Sequence, residues 1–347
     1  MADIDAPSAA REDVSVRSGR VTLRDIAEAV GVSVSTASRA LNGAPGISGD
    51  VRSRIQSTAE RLNYAGALPG ITQLSVLTDL HLAEADTGEF NQAVHRGIQR
   101  RARELGISLT VTLIGPAGFA QIEPAGEPSG YLLLSMQRED FVQTLHERGI
   151  PAVIVNGREP LMRLDAVAPA NGTGGYLSAH HLIELGHTRI LTLAHSERPT
   201  IRDRMRGTHR AMRESGIRAD DDLVVELEVL RTDVAYRAVK RRIEERGGAD
   251  FTAVQCFNDA CAFGAIAALA ETGLNVPGDV SVIGFDDIST AALNSVPLTT
   301  VRVESEDIGA RSVNRLVERI RLKDGLATYT ETAVRLIVRD STAPALR

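Results

Sequence analysis

Four side chains in one short stretch, Val34, Ser35, Ser38 and Arg39, have the types and spacing to read DNA bases. On a helix they point outward together. There an apolar group can touch a thymine methyl, hydroxyls reach phosphates or base edges, and a guanidinium can fork onto guanine O6 and N7. A second set of polar residues follows apolar runs later in the chain: Arg204, Asn258-Asp259 and Asp286-Asp287. Each alone reads as a helix cap or surface charge. They merit close reading because ligands in parallel α/β sheets bind beyond the carboxyl ends of the strands. Other combinations carry less. His180, His181, His187 and His195 lack metal-ligand spacing with cysteine or carboxylate partners and read as solvated or core histidines. Asn171-Gly172-Thr173-Gly174-Gly175 has the glycine content of a phosphate loop but not its spacing or lysine, so it reads as a helix start. There is no nucleophile elbow or carboxylate pair, and neither an enzyme, a metal site nor a cofactor is expected.

The elements that must position the first set are short helices. Thr22 is placed as an N-cap with Asp25 three residues on, before Ile26, Ala27 and Val30. Gly31 ends that helix. Ser33 caps the next, whose inward residues are Ala37, Ala40 and Leu41, and Ser48 caps a third that packs through Val51, Ile55, Ala59 and Leu62. The segment from 15 to 66 holds Arg17, Arg20, Arg24, Arg39, Arg52, Arg54 and Arg61 against Asp25, Glu28, Asp50 and Glu60, on a chain whose net charge is -6. A locally basic module on an acidic chain suits phosphate binding through counterion release. A plain three-helix bundle without a DNA role is the alternative. Residues 1–19 begin with an acidic, small-residue stretch lacking apolar period and read as a disordered tail.

With 347 residues, the chain has room for a further machine of one or two α/β domains. From residue 73, apolar runs at 74–77, 108–112, 131–134 and 152–155 read as strands, with helices at 90–105 and 138–148. The rhythm resumes with strands at 189–193, 223–225, 253–256 and 280–284 and helices near 173–185, 203–215, 233–246 and 260–273. The expected fold class is therefore α/β: two doubly wound parallel-sheet lobes preceded by a small all-α helix-turn-helix domain. No apolar run approaches a membrane span and no signal-peptide pattern opens the chain, so a cytoplasmic protein is expected. Cys256 and Cys261, the only cysteines, read as reduced core or pocket residues.

Val21-Thr22-Leu23, Asp25-Ile26-Ala27, the run from Gly31 to Gly43 and Leu62-Asn63-Tyr64 resemble the DNA-binding head of the lactose-repressor (LacI/GalR) family of bacterial regulators. Phe257-Asn258-Asp259, Val276 to Asp287, Pro297 to Arg302 and Val338 to Thr342 resemble its effector-binding core. The resemblance implies a core like periplasmic sugar-binding proteins, with two lobes joined by three crossings and a small molecule in the cleft. It implies base reading by Val34, Ser35 and Arg39. It also implies DNA contacts from Thr22, Leu23, Ser33, Thr36, Ser38, Asn42 and Ser48, and ligand contacts from Phe90, Asn156, Arg204, Asn258 and Asp286. The domains would then be a helix-turn-helix head at 20–64, a linker at 65–72 and a core at 73–342. Within the core, the N-lobe would be 73–170 with 302–326, and the C-lobe 171–301 with 327–342.

Three departures bear on function. There is no tryptophan, and the stretch from Arg231 to Ala235 has no aromatic where many sugar-responsive relatives carry one. Gly88-Glu89-Phe90-Asn91 replaces the usual Asn-Pro-Phe-Phe, and Ala170 stands where an Asp is common. Between head and core, the family's minor-groove hinge helix is replaced by a short run containing Pro69-Gly70. Leu68 is then the one candidate wedge, and the hinge helix is expected to be absent or rudimentary.

The function expected is a repressor on a palindromic double-stranded operator, a homodimer with a tetramer as the alternative. It would act in the bacterial cytoplasm, on the nucleoid and off the membrane, under control of a sugar, sugar phosphate or nucleoside-like effector. A constitutive DNA-binding regulator with a degenerate pocket is the nearest alternative. A soluble solute-binding protein or an enzyme of the same core is the other.

Overall fold

A computed structural model describes residues 21–41, 46–62, 71–79, 88–115, 129–136, 138–322 and 325–346. The expected tail, Asn42, Leu68 and the question of a hinge helix lie outside these residues. The chain divides into two units, Met1–Pro69 and Gly70–Arg347.

The first unit contains three helices, α1 (Leu23–Val30), α2 (Val34–Leu41) and α3 (Gly49–Arg61). Thr22 and Asp25 form a reciprocal capping box, and Gly31 closes α1 in the left-handed conformation at φ 75°. Ile26, Val30, Ala40 and Ile55 form the core, ringed by partly buried Val32, Leu41, Ile47, Val51, Ala59 and Leu62. Two of the arginines that contribute to the expected basic surface have a structural partner. Arg52 Nη1 donates to the Ala40 carbonyl at 3.1 Å and Arg54 Nη2 to the Val30 carbonyl at 3.3 Å, placing positive charge on the C-terminal turns of α2 and α1.

The second unit contains two six-stranded sheets. In chain order its elements begin β1 (Gln73–Asp79), α4 (Gly88–Leu105), β2 (Ser108–Ile114), β3 (Tyr131–Leu134), α5 (Glu139–Glu147), β4 (Ala152–Val155) and β5 (Asp165–Pro169). They continue with α6 (Asn171–Glu184), β6 (Ile190–Ala194), α7 (Pro199–Glu214), β7 (Val224–Glu226), α8 (Thr232–Arg246), β8 (Ala253–Cys256), α9 (Asp259–Glu271) and β9 (Ser281–Asp286). The last are β10 (Thr299–Val303), α10 (Ser305–Leu322), β11 (Tyr329–Thr332) and β12 (Val334–Ile337). The first sheet runs β11-β5-β4-β3-β1-β2 and its pairings are parallel. The second runs β12-β10-β9-β8-β6-β7, parallel except where β12 meets β10. Strands β3, β4, β6 and β8 are buried throughout, which is why they read as continuous apolar runs and not as alternating ones.

The lobe changeovers differ from expectation. β10 continues to Val303 in the second sheet, whereas β11 joins the first sheet with Tyr329 opposite Ala166. The last two crossings therefore fall just after Val303 and just after Thr332, instead of at 301/302 and 326/327. The return of β11 is anchored by a buried carboxylate at the start of β5. Asp165 accepts from Arg319 Nε at 2.6 Å and from the Thr328 amide at 2.7 Å, and pairs with Arg315 at 2.8 Å. Burial pushes its pKa up, but the hydrogen bonds from Arg319 and Arg315 outweigh that and hold it below the ordinary carboxylate range. The pairing of β11 with β5 leads the returning chain into the first lobe.

Glycines set the helix crossings. A Cβ on Gly175 would strike the Arg204 carbonyl of α7, and one on Gly207 would strike the Gly172 carbonyl of α6. Gly97 and Gly309 do the same for α4 against α10. The glycine-rich start of α6 thus serves close helix packing.

Candidate functional site

In the first unit, α2 turns Ala37 and Ala40 inward and leaves Val34 exposed at 44%, with Ser35 and Arg39 also exposed and Ser38 partly so. Leu23 is half-buried at the start of α1. The hydroxyls of Thr22, Ser33, Thr36 and Ser48, expected at DNA, are engaged at helix starts. Thr22 Oγ1 donates to Asp25 at 2.7 Å, Ser33 Oγ accepts from the Thr36 amide at 3.0 Å and pairs with Thr36 Oγ1 at 2.8 Å, and Ser48 Oγ accepts from Val51 at 3.4 Å. Hydrogen bonds from Thr22 hold the Asp25 carboxyl below its ordinary range. These caps fix the helix starts, the ends whose amides and dipole favour phosphate.

In the second unit, one cavity gathers Phe90, Asn156, Arg204, Asn258 and Asp286, together with Asn91, Arg198, Thr200 and Ile201. Its walls come from the start of α4 in one lobe, the start of α7 in the other, and the C-terminal ends of β4, β8 and β9. That is the ligand position expected for parallel sheets. Its open space is about 20 Å³, room for about one water. A larger groove of about 430 Å³ lies between β7 and α8, but much of its wall is exposed charge, including Glu226, Glu228, Arg237, Arg241 and Glu245.

Arg204 is held on several sides. Its Nε donates to Asn171 Oδ1 at 2.8 Å, its Nη1 donates to the Phe257 carbonyl, and its guanidinium carbon stacks 3.5 Å from the Phe285 ring centre. Burial lowers its pKa to about 10, while Asp286 acts the other way. The pair is loose, with Nη2 3.9 Å from Asp286 Oδ1. Arg204 lies in the second turn of α7, which begins at Pro199, rather than opening the helix near 203. Pro at the first helical position accounts for the earlier start.

Burial pushes the Asp286 carboxyl up to about 7 against the opposing charges of Arg204 and Arg198. Its backbone sits at φ 111°, and Asn156 and Ser135 also have positive φ, 56° and 52°. Three non-glycine residues in that region at strand ends mark backbone held in place by its surroundings. Asn258 is the N-cap of α9, accepting from Cys261 at 2.8 Å and donating to the Leu230 carbonyl at 3.3 Å, so it has a helix-capping role as well as a place on the cavity wall. Asn156 donates to Ser135 Oγ at 3.0 Å, while its Oδ1 is buried with no partner among the described residues. Phe90 is buried.

Other residues singled out in the sequence serve the scaffold. Asp287 pairs with Arg302 and, at 2.7 Å, with Arg339. Asp259 accepts from Thr300 Oγ1 at 2.6 Å and the Ile288 amide at 2.9 Å. Burial, then the nearby Asp286 charge, raises its pKa well above the ordinary value. His187 meets Thr252 and the Ala343 carbonyl, His195 the Leu227 carbonyl, His181 Thr342, and His180 Glu184. Both cysteines are buried thiols outside any disulfide, and burial pushes the Cys256 thiol far above its ordinary range. Arg198, Thr200 and Asn91 did not emerge from the sequence. For Arg198 and Thr200 the available signal was Pro199, which places them at the helix start.

Residues 22–66 match the lacI family of bacterial regulatory proteins, and 179–342 match the periplasmic binding protein-like domain. The chain is 28% identical over 337 residues to the transcriptional repressor PurR of Aliivibrio fischeri, covering 94% of this chain and 99% of that one. It is 28% identical over 347 residues to the transcriptional regulator DegA of Bacillus subtilis, covering 94% and 99%. Among solved structures it is similar to a CelR-cellobiose complex, with a TM-score of 0.71, 27% identity and coverage of 93% of this chain and 100% of that one. It is also similar to a LacI-family regulator from Enterococcus faecium with bound ribose, at 0.66, 25%, 79% and 100%.

Proposed function

Because the chain belongs to the lacI family of bacterial regulatory proteins and is a DNA-binding transcriptional regulator, we propose that it works as a homodimeric repressor on a palindromic operator in the bacterial cytoplasm, one head per half-site. A small-molecule effector in the cleft between its lobes controls it. The observation that carries this reading is the outward face of α2, with Val34, Ser35 and Arg39 exposed over buried Ala37 and Ala40. The cleft supports the control: polar side chains from both lobes converge on it, so a ligand bridging them favours one lobe arrangement. Its relatives are transcriptional regulators, and the residues at the cleft support recognition, not catalysis.

The test is a mobility-shift titration on the promoter upstream of its own gene at several salt concentrations. A specific, salt-dependent complex is expected. Arg39→Ala should weaken it by roughly 1 to 3 kcal/mol and relax specificity at one base pair. The absence of any specific complex would overturn the reading.

A second reading is favoured by the small open space: a constitutive DNA-binding regulator whose cleft is filled by its own side chains. A melting screen separates the two, because a working cleft stabilises the protein with some ligand.

A further inference from the structure

We infer that the cleft selects an anionic effector, one bearing a carboxylate or phosphate beside a hydrogen-bond donor, with Arg198 as the charge partner. This rests on the effector reading above and names the ligand chemistry.

Positive charge at the cleft exceeds negative charge. The ionisable groups on its wall are Arg198, Arg204 and Asp286. The Arg204 guanidinium is held by Asn171, the Phe257 carbonyl and the Phe285 ring. Arg198 differs. It lies at the N-cap of α7, and its guanidinium makes no hydrogen bond or ion pair among the described residues. Asp286 lends it an opposing charge but no hydrogen bond or ion pair, and the other nearby carboxylates are engaged elsewhere. Asp286 lies at the loose 3.9 Å pairing with Arg204, Asp259 is engaged with Thr300 and the Ile288 amide, and Glu89 accepts from the Ser289 amide at 2.6 Å. Burial lowers the Arg198 pKa, and the Asp286 charge only partly opposes it.

Two independent features extend the site. α7 has 16 residues, and its positive end, with buried Thr200 in the first turn, faces the same cavity. The Thr200 hydroxyl has no side-chain partner among the described residues. Across the cleft, Asn156 Oδ1 is buried and unpartnered, an acceptor awaiting a donor. A buried acceptor left unsatisfied is costly, so a hydroxyl or amine on the ligand would satisfy it while the acidic group meets Arg198 and the α7 amides. A neutral sugar could satisfy Asn156 but would leave the Arg198 guanidinium without a directly paired anion.

The test measures melting and calorimetric affinity of the full chain with matched probes at constant ionic strength: glucose against gluconate and glucose 6-phosphate, ribose against ribose 5-phosphate, nucleosides against their 5′-monophosphates, and inorganic phosphate alone. At least one anionic probe is expected to bind about tenfold or more tightly than its neutral counterpart. Arg198→Gln should remove that preference and Arg198→Lys retain part of it. Gluconate and the phosphates distinguish the two acid types. Equal or tighter binding of neutral probes, an unchanged preference in Arg198→Gln, or no stabilisation by any anionic probe would overturn the inference. The mobility-shift titration on the same preparation separates the failures: an intact operator complex without anion preference removes this inference alone, whereas loss of the operator complex removes the regulatory reading.

Discussion

Asp286 is the most consequential carboxylate of the cleft because burial favours its neutral form while two arginines favour the charged one. Its folded-state pKa of about 7 stands above the ordinary 3.8. A raised carboxyl pKa gives stability that is fully present below the unfolded value and is lost as pH rises through the folded one. Relative to Asp286→Asn, the wild-type chain should lose stability on the order of a few kcal/mol between about pH 4 and pH 8. Urea unfolding of both proteins across that range measures it, and parallel pH profiles would count against the assignment. Asp286 was legible in the sequence as a polar residue after an apolar run, as were Asn258 and Arg204. Arg198 was not, since its place depends on where α7 starts and which turn meets the cavity.

At the scale of elements, the helix crossing of α6 with α7 determines where Arg204 can stand. Gly175 meets the backbone of Arg204 itself, and Gly207 meets Gly172. On an open helix, glycine to alanine gains about 1 kcal/mol. Here the sign should reverse. Gly175→Ala must push the helices apart, with an expected cost of roughly 2 to 3 kcal/mol and a shift in the backbone that carries the Arg204 guanidinium. Gly88→Ala, at the start of α4 with only a flexible Gln92 side chain near its added methyl, should be neutral or slightly stabilising. Thermal melts of the two variants check the contrast. Most helices and buried strands were legible because their periodicity or apolar runs are strong. β5, β10, β11, β12 and helix α10 were not: the ion-paired Asp165 opens β5, buried Thr299 and Thr300 open β10, α10 carries many charged residues, and β11 and β12 are short strands at the ends of their sheets, where apolar burial demands less of the sequence.

At the scale of the molecule, self-association needs an apolar face, and the edge strand β2 of the first sheet offers one. Val111 and Leu113 on it are 48% and 55% exposed. An edge that presents such residues to water invites pairing or cover. Val111→Asp with Leu113→Asp should shift the protein toward monomer in sedimentation and weaken operator binding at least tenfold, about 1.4 kcal/mol or more. An unchanged dimer would place the contact elsewhere. The sequence by itself determined the head's three capped helices, the repeated α/β rhythm and the polar groups that follow its strands, because caps, periodicity and turn residues act over a few positions. Only the tertiary structure decided that β11 returns to the first lobe and that the glycines of α6 serve a helix crossing. It also decided that the Arg198 guanidinium, unlike that of Arg204, enters the cleft without a hydrogen bond among the described residues. Those outcomes depend on contacts between segments tens to more than a hundred residues apart, where packing and burial, not local spacing, set which groups are satisfied.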